Sequence, residues 1–235
     1  MKGEYVNGKI NGKVEEYNND GFLEFEGDYL DGKRWNGKAK VTIGNKLLFE
    51  GEYVNGRRNG KLRSYYNEQI EFEGNLLNGI KNGPGKEYNR EGILTFEGEY
   101  LNGKRWKGKG KEYFLGRLIF EGEYINGERN GITKKYYNYG PLKLESTYLN
   151  GKLHGKTNEY DRNGKLVFEG EYSKGERNGK GKEYKSNGLL LFEGEYLNGK
   201  RWNGKGKEFN NNGILSFVGE YINGEKHFSL YSETK

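Results

Sequence analysis

Phe96-Glu97-Gly98-Glu99-Tyr100-Leu101-Asn102-Gly103, continued by Lys104-Arg105-Trp106-Lys107-Gly108-Lys109-Gly110-Lys111-Glu112-Tyr113, decides the fold, because with substitutions it returns about every 24 residues along the chain. Copies open at Gly3, Gly27, Gly51, Gly74, Gly98, Gly122, Ser146, Gly170, Gly194 and Gly219, about ten in all with the last incomplete. A unit this short cannot bury a core alone and must lean on its neighbours, so residues 1–235 read as one repeat array. Within a copy, Leu94, Phe96, Gly98 and Tyr100 alternate with Thr95, Glu97 and Glu99, the period of a half-buried strand. Asn102-Gly103 supplies a pair able to take positive φ, and Lys109 through Tyr113 reads as the returning strand. A second glycine-centred turn, such as Arg90-Glu91-Gly92 or Arg162-Asn163-Gly164, leads into the next copy. The expected fold is all-β, an elongated single-sheet antiparallel array of about ten stacked β-hairpins. At roughly 4.8 Å per strand, about 20 strands would extend on the order of 90 Å.

Reading down the copies gives rows. Phe25, Phe49, Phe72, Phe96, Phe120, Phe168, Phe192 and Phe217 form one, and Tyr5, Tyr29, Tyr53, Tyr100, Tyr124, Tyr148, Tyr172, Tyr196 and Tyr221 another. The glycines between them predict that an aromatic ring from an adjacent strand lies over bare backbone, where a Cβ would lift it off. Two copies depart. The fourth has Asn75-Leu76 and Pro84, and the seventh has Ser146-Thr147 after Gly140-Pro141 with Leu144 in the Phe row. Irregular pairing or a bend is expected at both.

The composition excludes several classes of function. There is no Cys, hence no disulfide framework, thiolate zinc site or Cys nucleophile. The net charge of +6 comes from 40 Lys and Arg against 34 Asp and Glu, interleaved within each copy as cross-strand neighbours rather than gathered in a phosphate-binding patch. Aromatic and basic residues also alternate on single-stranded nucleic-acid platforms, but here the rings recur with the repeat and serve packing, so nucleic acid is not an expected partner. His154 and His227 lie about three copies apart, and Gly108-Lys109-Gly110-Lys111 lacks the sequence of a phosphate-binding loop. No enzyme, cofactor or metal site is expected. With no apolar run long enough to cross a bilayer and no N-terminal targeting segment, a cytoplasmic protein is expected.

The pattern Phe-Glu-Gly-Glu-Tyr-x-Asn-Gly-Lys-Arg-x-x-Gly-Lys-Gly-Lys-x-Tyr resembles the MORN repeat (membrane occupation and recognition nexus). Gly151-Lys152-Leu153-His154-Gly155-Lys156 is similar to the looser MORN-like variants common in bacteria. The resemblance implies a hairpin array acting as a non-catalytic interaction module. Members of the family are tied to membrane–cytoskeleton organisation, cilia and other assemblies, and phosphoinositide binding has been proposed for some. Three copies depart from the family motif by an extra residue read as lengthening the turn, in Lys33-Arg34-Trp35-Asn36, Lys104-Arg105-Trp106-Lys107 and Lys200-Arg201-Trp202-Asn203.

Arginine beside tryptophan is the residue pairing that anchors protein interfaces and sits well at lipid headgroups. Arg34, Trp35, Arg105, Trp106, Arg201 and Trp202 are therefore the candidate partner-binding residues. The competing reading folds each Trp back over the hydrophobic edge of its own hairpin. The expected function is a scaffold or adaptor binding a protein partner along an extended repeat surface, with a peripheral tether to anionic or phosphoinositide headgroups as the alternative. The expected place is the cytoskeleton or the inner membrane surface. Because the sequence begins and ends within the pattern, end-to-end self-association is also expected.

Overall fold

The computed structural model describes residues 2–44 and 46–228. The chain is all-β and divides into two compact units, Met1–Gly110 and Lys111–Lys235. The first holds β1 (Lys2–Val6), β2 (Lys9–Tyr17), β3 (Leu23–Leu30), β4 (Lys33–Ile43), β5 (Lys46–Val54), β6 (Arg57–Tyr66), β7 (Gln69–Leu77), β8 (Ile80–Tyr88) and β9 (Leu94–Leu101), and ends within β10 (Lys104–Phe114). The second holds β11 (Arg117–Ile125), β12 (Glu128–Tyr136), β13 (Leu142–Leu149), β14 (Lys152–Tyr160), β15 (Leu166–Ser173), β16 (Glu176–Tyr184), β17 (Leu190–Leu197), β18 (Lys200–Phe209), β19 (Leu215–Ile222) and β20 (Glu225–Phe228). In each unit every strand pairs antiparallel with the next, giving an open meander.

Two turn chemistries build the meander. Each hairpin closes on two residues that both take positive φ, as at Asn102 (49°) and Gly103 (82°), the type I′ turn whose twist matches that of the flanking strands. Asn tolerates this conformation better than most residues, which explains its recurrence; Lys174 (φ 52°) is an exception. Several links between hairpins use a side chain as a clamp instead. The Asn89 carboxamide oxygen accepts from the backbone N–H of Glu91 (3.1 Å) and of Ile93 (2.9 Å).

The core lies on one face of the sheet and is roofed by side chains rather than by a second layer of secondary structure. Phe96 is 1% exposed. Tyr100 meets it edge-on with ring centroids 5.1 Å apart, and the Arg105 guanidinium lies 5.0 Å from its centroid. The same roof recurs at Phe168 with Tyr172 and Arg177, and at Phe192 with Tyr196 and Arg201.

The glycine row differs from the sequence expectation in one respect. A Cβ at Gly98 would lie 2.9 Å from Cζ of Phe96, the ring two residues back on the same strand, and 2.2 Å from the Lys107 carbonyl oxygen. Rings from an adjacent strand cover glycines of the returning strands instead, as Phe72 covers Gly85 and Phe168 covers Gly181, each at 2.9 Å. The seventh copy shows the converse exchange: the smaller Leu144 replaces Phe and Ser146 replaces Gly, with Ser146 Oγ 2.5 Å from Thr157 Oγ1. The shorter side chain leaves room for the Cβ.

The expected irregular pairing does not occur. Ser146 stands opposite Thr157 and Tyr148 opposite Leu153, the register of the ordinary copies. Pro84 falls among residues of β8 that have no partner on β7, between Lys81 opposite Leu76 and Gly85 opposite Gly74. A missing N–H is tolerated in such a bulge.

Candidate functional site

The three Lys-Arg-Trp segments lie in strands, not in lengthened turns. Asp31-Gly32, Asn102-Gly103 and Asn198-Gly199 remain two-residue turns with positive φ throughout. The extra residue is absorbed as a one-residue bulge: Arg34 stands opposite Tyr29 and Asn36 opposite Asp28, leaving Trp35 without an opposite residue. Trp106 and Trp202 occupy the same place. The Trp35 ring is half-buried against the turn of the following hairpin, 3.2 Å from where a Gly56 Cβ would stand, and Gly56 N–H donates to the Trp35 carbonyl (2.9 Å). Trp202 packs likewise on Gly224, whose N–H donates to its carbonyl (2.8 Å). These rings cover the next hairpin rather than their own.

The bulge sets how consecutive hairpins register. In an ordinary copy Gly60 and Lys61 have no partner on β5, and Gly51, Leu62 and Gly74 stand level on three neighbouring strands. With tryptophan, Gly27 faces Gly37 and Gly37 faces Tyr53, so the following hairpin is displaced by two residues, about 7 Å. Gly194, Gly204 and Tyr221 repeat the displacement in the second unit.

Deleting Trp35, unlike substituting it, leaves a copy spaced like the one opening at Gly51. The deletion protein is expected to fold with Gly27 opposite Ala39. A cysteine pair at positions 26 and 38 should form a disulfide in the parent chain, whereas in the deletion protein the pair at positions 26 and 40 should do so.

The arginines of these segments are engaged within the sheet. Arg34 contacts Glu16 of the preceding copy (2.8 Å), Arg105 contacts Glu87 (2.7 Å), and Arg201 contacts Glu183 (2.9 Å). The same carboxylates accept from Tyr29, Tyr100 and Tyr196. Arg129 with Glu112 and Tyr124, and Arg177 with Glu159 and Tyr172, complete a recurring cluster that the sequence reading missed. A signal for it is present in the sequence. Where the preceding copy has Lys135 in place of the Glu, Leu153 replaces the Arg. Trp35 and Trp106 lie in hairpins of the first unit with two others between them, so these two segments form no single site, and Trp202 belongs to the second unit.

These clusters make stability depend on pH. Burial alone would raise the Glu87 carboxyl, but hydrogen bonds from Lys81 and Arg105 outweigh it and hold the group below its ordinary value; Glu16 is held down in the same way by Arg34 and Tyr29. Burial first, and then donation to Glu16, pushes the Tyr29 hydroxyl up to about 12. Tyr172, buried and donating to Glu159, is also raised to about 12. A lowered carboxyl stabilises the fold above its unfolded value of 4.5 and ceases to as pH falls through the folded value. A raised hydroxyl stabilises below its unfolded value of 10.0 and ceases to as pH rises through about 12. Thermal midpoints followed by circular dichroism should therefore form a plateau falling away on both sides, and Glu87→Gln should flatten the acid side.

The opposite face of the first unit is hollowed. A trough of about 1000 Å³ runs across β3 to β9. Its lining alternates strand by strand: Glu24 and Glu26 on β3, Lys38 and Lys40 on β4, Glu50 and Glu52 on β5, Lys61 and Arg63 on β6, Glu73 on β7, Lys86 on β8, and Glu97 and Glu99 on β9. Arg63 pairs with Glu50 (3.3 Å) and Glu73 (2.7 Å), and Lys86 with Glu97 (3.1 Å). Because of the Trp35 displacement the trough meets β3 at Glu24 and Glu26 rather than at Glu26 and Asp28. Exposed Leu30, Val54, Leu77 and Leu101 continue this face toward the turns. Among the described residues, no group of His, Cys, Asp and Glu is placed to hold a metal ion.

One short repeat per hairpin, an aromatic roof on one face and turns tied to the preceding copy define an open β-hairpin repeat array. The MORN repeat model matches residues 2–13, 49–61, 72–92, 120–132 and 168–189, and the chain is a MORN-repeat protein. The family is non-enzymatic, and its repeats commonly serve as protein- or membrane-interaction modules. None of the matched segments contains one of the three tryptophans, whose bulges break the motif's spacing. A search among curated proteins finds no match to the chain.

Proposed function

We propose that this protein is a non-catalytic scaffold that binds a protein partner along its repeat surface, and that the trough across β3–β9 is the binding surface. The observation that carries this reading is the trough itself, a hollow of about 1000 Å³ built at one register over seven strands, within the size range of ligand-binding clefts. The alternative is a membrane tether through the Lys-Arg-Trp edge. Lys33, Lys104 and Lys200 are exposed there. Against it, the Arg34, Arg105 and Arg201 side chains are only 17%, 25% and 17% exposed and already face carboxylates, which leaves little charge to attract anionic lipid.

The test compares the intact chain with two variants in pull-downs from lysate of the source cells, beside flotation with anionic vesicles. The trough variant carries Lys40→Gln, Arg63→Gln and Lys86→Gln; the edge variant carries Lys33→Gln, Lys104→Gln and Lys200→Gln. Capture of a protein by the intact chain and the edge variant but not by the trough variant is expected, without flotation. Equal capture by the trough variant, or flotation that the edge variant loses, would overturn the reading.

A further inference from the structure

We infer that the trough receives an α-helix lying across the strands, with about one charge per turn alternating in sign along the face it presents and aliphatic residues beside that row. This rests on the reading that the trough is the binding surface. Across the strands the sign of the lining reverses at every step, from Lys40 to Glu50, Arg63, Glu73, Lys86 and Glu97. Each step is about 4.8 Å. A helix advances about 5.4 Å per turn, so successive turns meet successive strands, and over the six steps from β3 to β9 the mismatch grows to only about 3–4 Å, within the reach of Lys and Glu side chains.

An extended segment fits worse. Its same-side residues recur about every 6.6 Å and lose phase with the strands after two or three of them. A second sheet would match the spacing but not the shape, since the face is hollow and a copy of it would be hollow too. A polyanion would meet an acidic strand at every second step. About 29 Å of trough corresponds to a helix of roughly 19 residues. The ion pairs already spanning the trough present little obstacle, because Arg63 is 51% and Glu97 56% exposed, and exposed pairs of this kind contribute at most about 1 kcal/mol. The exposed Val54, Leu77 and Leu101 offer the aliphatic row its counterpart at the turn side.

The probe is a fluorescein-labelled, 20-residue, alanine-based helical peptide carrying Glu and Lys alternately three and four residues apart, with leucines beside them. It is titrated against the full chain by anisotropy. Two control peptides accompany it, one of the same composition with acidic and basic residues gathered in separate halves and one with a central alanine replaced by proline. The alternating peptide is expected to bind at least tenfold more tightly than either control, and to lose that advantage against the trough variant. Equal binding of the separated-charge or proline peptide, undiminished binding to the trough variant, or no binding by any peptide would each overturn the helix inference. The pull-down decides the surface reading separately.

Discussion

Phe168→Ala is expected to destabilise the second unit by about 3–5 kcal/mol, the range for removing a fully buried aromatic ring. Phe168 is 0% exposed and packs with Phe192, Tyr196, Phe217 and Tyr221. Its ring lies over the bare backbone of both Gly170 and Gly181 and beneath the Arg177 guanidinium, 3.9 Å from its centroid. With no second layer above, the residues left behind cannot close the gap without opening the roof. Arg177 and Tyr172 would remain tied to Glu159 above an empty space. Phe168→Leu, which keeps an aliphatic side chain at the place Leu144 holds in the seventh copy, is expected to lose less than Phe168→Ala. Urea denaturation followed by far-ultraviolet circular dichroism measures all of these; a midpoint for Phe168→Ala within error of the parent would refute the roof as the source of stability.

Gly194→Ala should have the next largest effect, about 2–3 kcal/mol, from a single methyl group. The new Cβ would stand 2.2 Å from the Asn203 carbonyl oxygen, 2.6 Å from Gly204 Cα and 2.8 Å from Phe192 Cζ. Two of these atoms are backbone of the paired strand, so the sheet itself must separate. Gly188→Ala is the control. Its φ of 86° is unfavourable for alanine, but no atom lies within 4 Å of the added carbon, so it should lose only about 1–2 kcal/mol from backbone strain. If the two variants denature together, the close approach of the strands is not what excludes a side chain at position 194.

The parts of this protein legible in its sequence are those fixed by residues close together in the chain. Alternation of Phe96, Gly98 and Tyr100 with Glu97 and Glu99 gives strands, and Asn102-Gly103 gives the turn, because both depend on side-chain direction and φ over a few residues. The candidate site was far less legible. Arg34, Arg105 and Arg201 look like free cations beside tryptophan, yet each contacts a Glu 18 residues earlier, in the preceding copy. That pairing follows from which strands become neighbours. The sequence does carry its trace in the joint loss of Glu and Arg at Lys135 and Leu153.

The tryptophans mark the boundary between the two kinds of information. One extra residue in three copies is plain in the sequence. Whether it lengthens a turn or bulges a strand is decided by the ladder, which keeps the two-residue turn and lets Trp35 settle on the neighbouring turn at Gly56. The sequence by itself determined the repeat, the hairpin and the aromatic core, because steric and hydrophobic preferences act residue by residue. Only the tertiary structure decided the displacement of consecutive hairpins, the Glu–Tyr–Arg clusters and the trough with its alternating charge. Each of these depends on how whole strands align, and a two-residue change of register keeps every side chain on its own face while exchanging its neighbours.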